Sequence, residues 1–514
     1  MNNTKIKDLG KLFTSKGYNV VIGSTYTKQA EWLSYFRGSV NNVHHFTRKT
    51  MSGHRIDVHK PSLQMPKKVA EEWTSLIYNE KVQLIAGSVE AQKELDEVLL
   101  DNHFVDEMTQ FVELIVGGYG TGAILEYVAD KEVRLNFIYG DKIMVIDYVN
   151  STITAIAVID EFVKSLGSKT MAYTHIMYHE TDDGAYRITH EMYETKATNK
   201  GLGKECSLDV MFSEQEIAEM EHAIYNEDNE IIGYEYYMQY ETEDAHFQVY
   251  KPPLVNNHDV KSPMGITVTA NALASFDGID NKSFNLDRED SLTRTRIFVD
   301  DRVMEWSKVK DASGNPMTRK YFDEEEDVYQ IIKGMVDTDT AVVTSNPNYD
   351  SAPRIEAIKL DLAFIGFRCG LGTDYFSFDN GSVYVNEANV ISSNSDTWRN
   401  RNKHINRLKQ VLIGMIKAIL YLKDIEYDST KIDVKFDDDI ITDDTAKLAQ
   451  LRLDVQDGYI AEYVYLMEAY KVSKPEALKM LEEAENQGGV VEPISVIAPP
   501  VEDNDDEEED DDID

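Results

Sequence analysis

Between residues 352 and 422 the chain carries two helical rhythms separated by a glycine break. Ile358, Leu362, Ile365 and Phe367 recur among Lys359 and Asp361, so 354–368 reads as a helix. Gly370-Leu371-Gly372 should end it, because glycine enters the left-handed region without a Cβ penalty. Tyr375, Phe376 and Phe378, the turn dipeptide Asn380-Gly381, then Val383, Tyr384 and Val385 predict a hairpin-like tip. After it Ile405, Leu408, Leu412, Met415, Ile419 and Leu422 repeat at three- and four-residue steps, the stripe of a helix packed along its length.

Upstream, the same periodicity predicts helices at 28–37, 63–79, 89–102 and 104–116. From 123 to 250 alternation at period two predicts strands at 123–128, 133–138, 143–148, 153–159, 171–179, 185–193 and 247–250, with 214–226 as a small acidic helical insertion. Pro252, Pro253 and Pro263 mark a boundary, since proline continues neither a ladder nor a helix interior. Residues 265–292 then read as a helix, with Leu273, Phe276, Ile279 and Phe284 apolar and Asp277, Asp280, Asp287, Glu289 and Asp290 acidic. Strands at 296–299 and 329–332 form a β-rich excursion between this helix and 354–368, which makes the pair a stalk. Short helices are expected at 442–457, 460–470 and 474–485. The fold class is α+β, multidomain.

Composition then narrows the function. The chain has 514 residues, a net charge of −40 and only two cysteines, Cys206 and Cys369, which leaves no disulfide framework. No apolar run reaches the ~20 residues of a membrane span, and the N-terminus lacks secretory-signal regions. Residues 501–514 hold eleven acids and no base. So acidic a chain should not grip nucleic acid by neutralising phosphates, because counterion release needs clustered Lys and Arg. Solubility and self-repulsion are the simple consequence; a surface that a polyanion passes without sticking is the sharper one.

Candidate chemistry is sparse. Gly117-Gly118-Tyr119-Gly120-Thr121-Gly122 follows a helix and precedes a strand, the reverse of a phosphate-cradling loop, so it reads as a turn. His44, His45, His54 and His59 match no zinc spacing, and His175 and His179 share a strand rather than a helix face. Asp437-Asp438-Asp439 and Asp443-Asp444 suggest a carboxylate-dependent nuclease. They precede a helix, however, where acids cap and favour the dipole, and no Lys or His partner is placed for acid–base work. No catalytic residue, metal or cofactor is assigned.

Four collinear segments carry a resemblance: KKVAEEWTSLIYNEK from Lys67, PLVNNHDVKSPMGITVTANAL from Pro253, RIFVDDRVM from Arg296, and GLGTDYFSFDNGSVYVNEANVISSNSDTWRNRNKH from Gly370. Over most of residues 30–480 the chain resembles portal proteins of tailed bacteriophages that infect Gram-positive bacteria. It departs at Tyr384-Val385-Asn386-Glu387-Ala388-Asn389-Val390, where the family usually carries a Thr-Ala-Thr-Glu-Val-like segment. The resemblance implies a ring, typically of twelve subunits, at one capsid vertex, through which double-stranded DNA is packaged and ejected. It implies docking of the terminase large subunit and then a head–tail adaptor, contact with major capsid and scaffolding proteins, assembly in the host bacterial cytoplasm, and no enzyme activity or membrane.

Mapped on this sequence, the wing is 1–255 plus the 396–430 helix, and the stem is 256–292 with 352–369. The clip is 293–351, the channel loop 370–395, the crown 431–490, and 491–514 an acidic tail expected to be disordered. Asp280 and Asp287 are expected to face the lumen or its rim. Asn380, Ser382, Asn386, Asn389, Ser392 and Asn394 are the candidate loop surface near DNA, able to hydrogen-bond phosphates transiently. Arg399, Arg401, Lys403 and Arg407 are the nearby basic cluster, suited to DNA or to carboxylates of a neighbouring subunit. Asp300, Asp301, Arg302, Trp306, Tyr321 and Phe322 are the candidate clip interface. The rival readings are a monomeric acidic scaffold or interaction protein and the nuclease.

Overall fold

The computed structural model describes residues 3–20, 24–49, 54–79, 81–129, 131–166, 169–182, 184–226, 229–292, 351–376, 387–436, 444–456, 459–470 and 474–486, with short strands between 296 and 345. It divides into two compact units, 1–437 and 438–514.

The first unit opens with α1 (Asn3–Ser15) and α2 (Thr25–Phe36). Ile6, Leu9 and Phe13 lie on one face of α1 at helical spacing and are buried; this helix was not expected. The hairpin β1 (His45–Lys49) and β2 (Arg55–His59) was also not expected, because its side chains are nearly all exposed and no apolar alternation marks it. Next come α3 (Met65–Ile77), α4 (Val89–Asp101) and α5 (Phe104–Leu114), within two residues of expectation, with the unexpected three-residue strand β3 (Gln83–Ile85) between α3 and α4. Helix α5 runs into a π-helical turn, Ile115–Tyr119, closed by Gly120 at φ +69°. The glycine run is thus a helix-to-strand turn, and its tightness is demanded by neighbours: a Cβ on Gly117 would lie 2.5 Å from Ala70 Cβ, and one on Gly120 2.7 Å from the Ile266 backbone.

Two antiparallel sheets follow. Strands β4 (Gly122–Ala129), β5 (Glu132–Tyr139), β6 (Ile143–Val149), β7 (Thr152–Leu166), β8 (Lys169–Asp182), β9 (Ala185–Lys196) and β10 (Lys204–Glu205) precede α6 (Glu214–Met220), and β11 (Glu221–Tyr225), β12 (Ile231–Tyr240) and β13 (Phe247–Tyr250) follow it. The large sheet runs β11-β12-β9-β8-β7-β6 with β10 on β9, and the small one runs β13-β4-β5. The acidic insertion is half helix only. Ser213 and Glu216 form a capping box, and then Glu221–Tyr225 leaves as an edge strand. Alternation along β7 decides the layering: Ala155, Ala157 and Ile159 bury against α1, while Ile156 and Val158 bury against the small sheet.

Helix α7 (Leu273–Leu292) starts eight residues later than expected, since 264–272 is a buried, irregular segment anchored by Val268 N on Val116 O. The insert contains β14 (Arg296–Asp300), β15 (Trp306–Lys310), β16 (Pro316–Lys320), β17 (Tyr329–Ile332) and β18 (Val342–Ser345), where β14 pairs with β17 and β18, and β15 with β16. Then come α8 (Ala352–Arg368), the 36-residue α9 (Glu387–Leu422) and β19 (Asp433–Lys435), which pairs with β3. At ~1.5 Å per residue α9 is about 54 Å long. The second unit contains α10 (Asp444–Gln456), α11 (Glu462–Tyr470) and α12 (Lys474–Asn486), each within two residues of the predicted helix.

Candidate functional site: the two-helix arm and its clamp

Helices α7 and α8 pair antiparallel. Arg368 Nη1 donates to Ser275 Oγ at 3.0 Å, and Lys282 Nζ donates to Asp361 Oδ2 at 2.6 Å and to Ala357 O at 3.2 Å. Gly278 lets the helices approach, because a Cβ there would already lie 3.2 Å from Asp361 Oδ2. One face of α7 is tied to the body. Tyr35 Oη donates to Asp277, Lys60 Nζ donates to Asn281 Oδ1 at 2.9 Å, and Phe276 and Ile279 are buried.

Asp280 corrects the expectation of a lumen-facing acid. It is 4% exposed, accepting from Leu63 N and from His44 Nε2 at 2.9 Å each. His44 Nδ1 accepts from Val40 N, which fixes the proton on Nε2 and aims it at the carboxylate. The helical phase carried this signal: residue 280 lies one turn after Phe276, on the buried face. Asp287 is exposed.

The loop after α8 leaves through a clamp. Gly370 and Gly372 have φ of +80° and +87°, and a Cβ on Gly366 would meet Gly372 O at 2.1 Å. Trp73 Nε1 donates to Cys369 O at 2.9 Å, Thr397 Oγ1 to Leu371 O at 2.8 Å, and Asn400 Nδ2 to Gly370 O at 3.2 Å. Tyr375 Oη donates to Glu72 Oε2 at 2.6 Å. Burial raises the Glu72 pKa, but the Lys68 and Tyr375 hydrogen bonds outweigh it and hold the carboxyl below its usual value. Both ends of the break are therefore pinned between α3 and α9.

Asn389, Ser392 and Asn394 fall within the first turns of α9 rather than in a loop, because the helix begins at Glu387. Asn380, Ser382 and Asn386 lie outside the described residues, as do Asp301, Arg302, Tyr321 and Phe322. Asp300 and Trp306 are placed in β14 and β15 by backbone, and their side chains lie outside the described set. Asp437, Asp438, Asp439 and Asp443 also lie outside it, while Asp444 opens α10.

The four candidate bases of α9 do not form one surface. Arg401 is 1% exposed: its Nε donates to Leu76 O at 2.8 Å, and its guanidinium lies 5.1 Å from the Trp398 ring centroid. It is an internal strut, unavailable to phosphate. Arg399 pairs with Asp396, Lys403 Nζ donates to Asn400 Oδ1 at 3.2 Å, and Arg407 is half-buried beside Gln410.

A second concentration of polar groups lies inside the sheets. His175 Nε2 meets His190 Nδ1 at 3.1 Å, and His179 Nδ1 meets Tyr186 Oη at 2.6 Å. His246 packs, with its ring tilted, among Tyr186, Tyr240 and Tyr421. Burial pushes the pKa of His175 and His246 down to about 4 and that of His179 and His190 to about 3, and it raises that of buried Glu126 well above its usual value. His45 and His59 face each other across β1 and β2. Among the described residues no group of three His, Cys, Asp or Glu is arranged to hold a metal ion, and no helix is long and apolar enough to cross a membrane. No family model matches the chain, and no curated protein matches it.

Proposed function

We propose that the chain is one subunit of a ring-shaped phage portal. Its copies would surround a channel at one capsid vertex through which double-stranded DNA is packaged and later ejected, with terminase, then a head–tail adaptor, docking on the 293–351 insert. The observation that carries this reading is the antiparallel α7–α8 pair: it leaves and rejoins an α+β body, brackets a separate small β insert, and feeds a glycine break clamped against a 36-residue helix. That order of parts suits a stem, a clip and an aimed loop. The charge of −40 supports it too, because a wall of net negative charge lets a polyanion slide without salt-sensitive grip. Asp287, exposed on α7, would be one acid of such a wall. End-on electron micrographs of the purified chain test the reading. Rings with a central opening wide enough for duplex DNA are expected; single particles of 58.6 kDa with no opening would overturn it.

A further inference from the structure

A cleft of about 450 Å³ opens between β13, α9 and the ends of β7 and β8. Its polar lining is Thr152, Thr154, Thr181, Gln248, Arg407 and Gln410. Arg407 has no carboxylate partner among the described residues: Nη1 donates to Gln410 Oε1 at 3.2 Å, and Nε is buried with nothing to donate to. A second cation lies near it. Lys251 Nζ donates only to backbone carbonyls, Ser151 O at 2.6 Å and Pro263 O at 2.5 Å, and burial together with the Arg407 charge pushes its pKa down to about 8. Tyr250, next to both, buries a hydroxyl that also lacks a partner. Asp147 touches the lining, but it accepts from Thr154 Oγ1 at 3.2 Å. In a chain with 92 acids and 52 bases, a partly desolvated guanidinium left without an acid is the unusual feature. Removing water from a charge costs free energy that a bound counter-charge offsets.

The geometry points to an oxyanion site in which Arg407 binds a phosphate or carboxylate group of a ligand, with Gln410 and the threonine hydroxyls as neutral partners. Guanidinium suits this task because its planar fork can donate two parallel hydrogen bonds to such a group. Gln248 is already fixed for the purpose: its Nε2 donates to Ala245 O at 2.9 Å, and its amide lies over Gly414, where a Cβ would sit 2.1 Å from Oε1. The site is independent of the portal reading.

Isothermal titration of the full chain with sodium phosphate and, separately, sodium acetate tests it, against sodium chloride of equal ionic strength. Saturable binding of phosphate, acetate or both, absent with chloride, is expected; the tighter of the two identifies the ligand group. Arg407→Gln should weaken it at least tenfold. Gln410→Glu places an intramolecular carboxylate on Arg407 at an exposed position, so it should abolish the anion response and raise the melting temperature of the unliganded chain. No saturable binding beyond chloride, or unchanged binding in Arg407→Gln, overturns the proposal. Should that variant fail to fold, full anion binding by Gln410→Glu does so instead.

Discussion

Asp280 and Glu126 are both buried carboxyls, and their surroundings set them opposite tasks. Asp280 receives two well-formed donors, so its loss strands Leu63 N and His44 Nε2 away from water. Asp280→Ala is expected to cost about 2–4 kcal/mol in denaturant unfolding, whereas Asp287→Ala on the open face should stay within about 0.5 kcal/mol. Both Glu126 oxygens are buried without a partner among the described residues, and its pKa is raised. The folded state therefore keeps a proton that the unfolded chain releases above its ordinary value, and stability from this group is lost as pH rises. Glu126→Gln should raise the melting temperature, by an increment that grows from pH 5 to pH 8. The histidines act the other way. His175 and His246 sit near 4, and His179, His190 and His404 near 3, against about 6.5 when unfolded, so below pH 6.5 only the unfolded chain gains protons. Each contributes a slope of up to ~1.4 kcal/mol per pH unit, about 7 for the five, against a total stability of roughly 5–15 kcal/mol. Acid unfolding monitored by circular dichroism should therefore be complete above pH 4.

At the level of elements, Gly366 shows how context overrides propensity. It lies inside α8, where alanine is favoured over glycine by ~1 kcal/mol. Yet a Cβ there would meet the carbonyl of Gly372 at 2.1 Å, and backbone cannot rotate away as a side-chain tip can. Gly366→Ala is expected to destabilise by about 2–4 kcal/mol and to expose Tyr375 to quenchers as its contact with Glu72 loosens. The elements legible in the sequence were those whose own periodicity is clear: α3, α4, α5, α8, the strands β4, β5, β6 and β13, and the three helices of the second unit. Others were hidden for physical reasons. The exposed β1–β2 hairpin has no buried face to alternate, and α9 begins in Asn- and Ser-rich turns whose weak propensity reads as loop. A helix start at Ser213 masked the strand Glu221–Tyr225 that leaves it. The clamp was invisible because Trp73, Cys369, Thr397 and Arg401 meet only in three dimensions, although Asp280 could have been read from its helical phase.

For the whole molecule the question is what covers α8. Beside its contact with α7, Leu360, Phe364 and Phe367 are 56%, 46% and 67% exposed, an apolar stripe at four- and three-residue steps. A continuous exposed apolar stripe is the pattern of an interaction surface, and copies carrying a net charge of −40 would need an apolar contact to overcome their mutual repulsion. If the portal reading holds, the cover is the arm of the next copy, a heterologous contact that closes into a ring. The double variant Leu360→Glu with Phe364→Glu adds two like charges to each such contact while leaving the α7–α8 ties at Asp361 and Arg368 in place. Light scattering should then show the mass collapse from many times 58.6 kDa to a single chain, with the circular dichroism of the folded body retained. Because repulsion between exposed charges is screened within ~10 Å at 0.1 M salt, the unmutated ring should also loosen as salt is removed. A variant that keeps the full ring mass would remove α8 from the subunit contact, and a wild-type chain that is monomeric at every salt concentration would remove the ring.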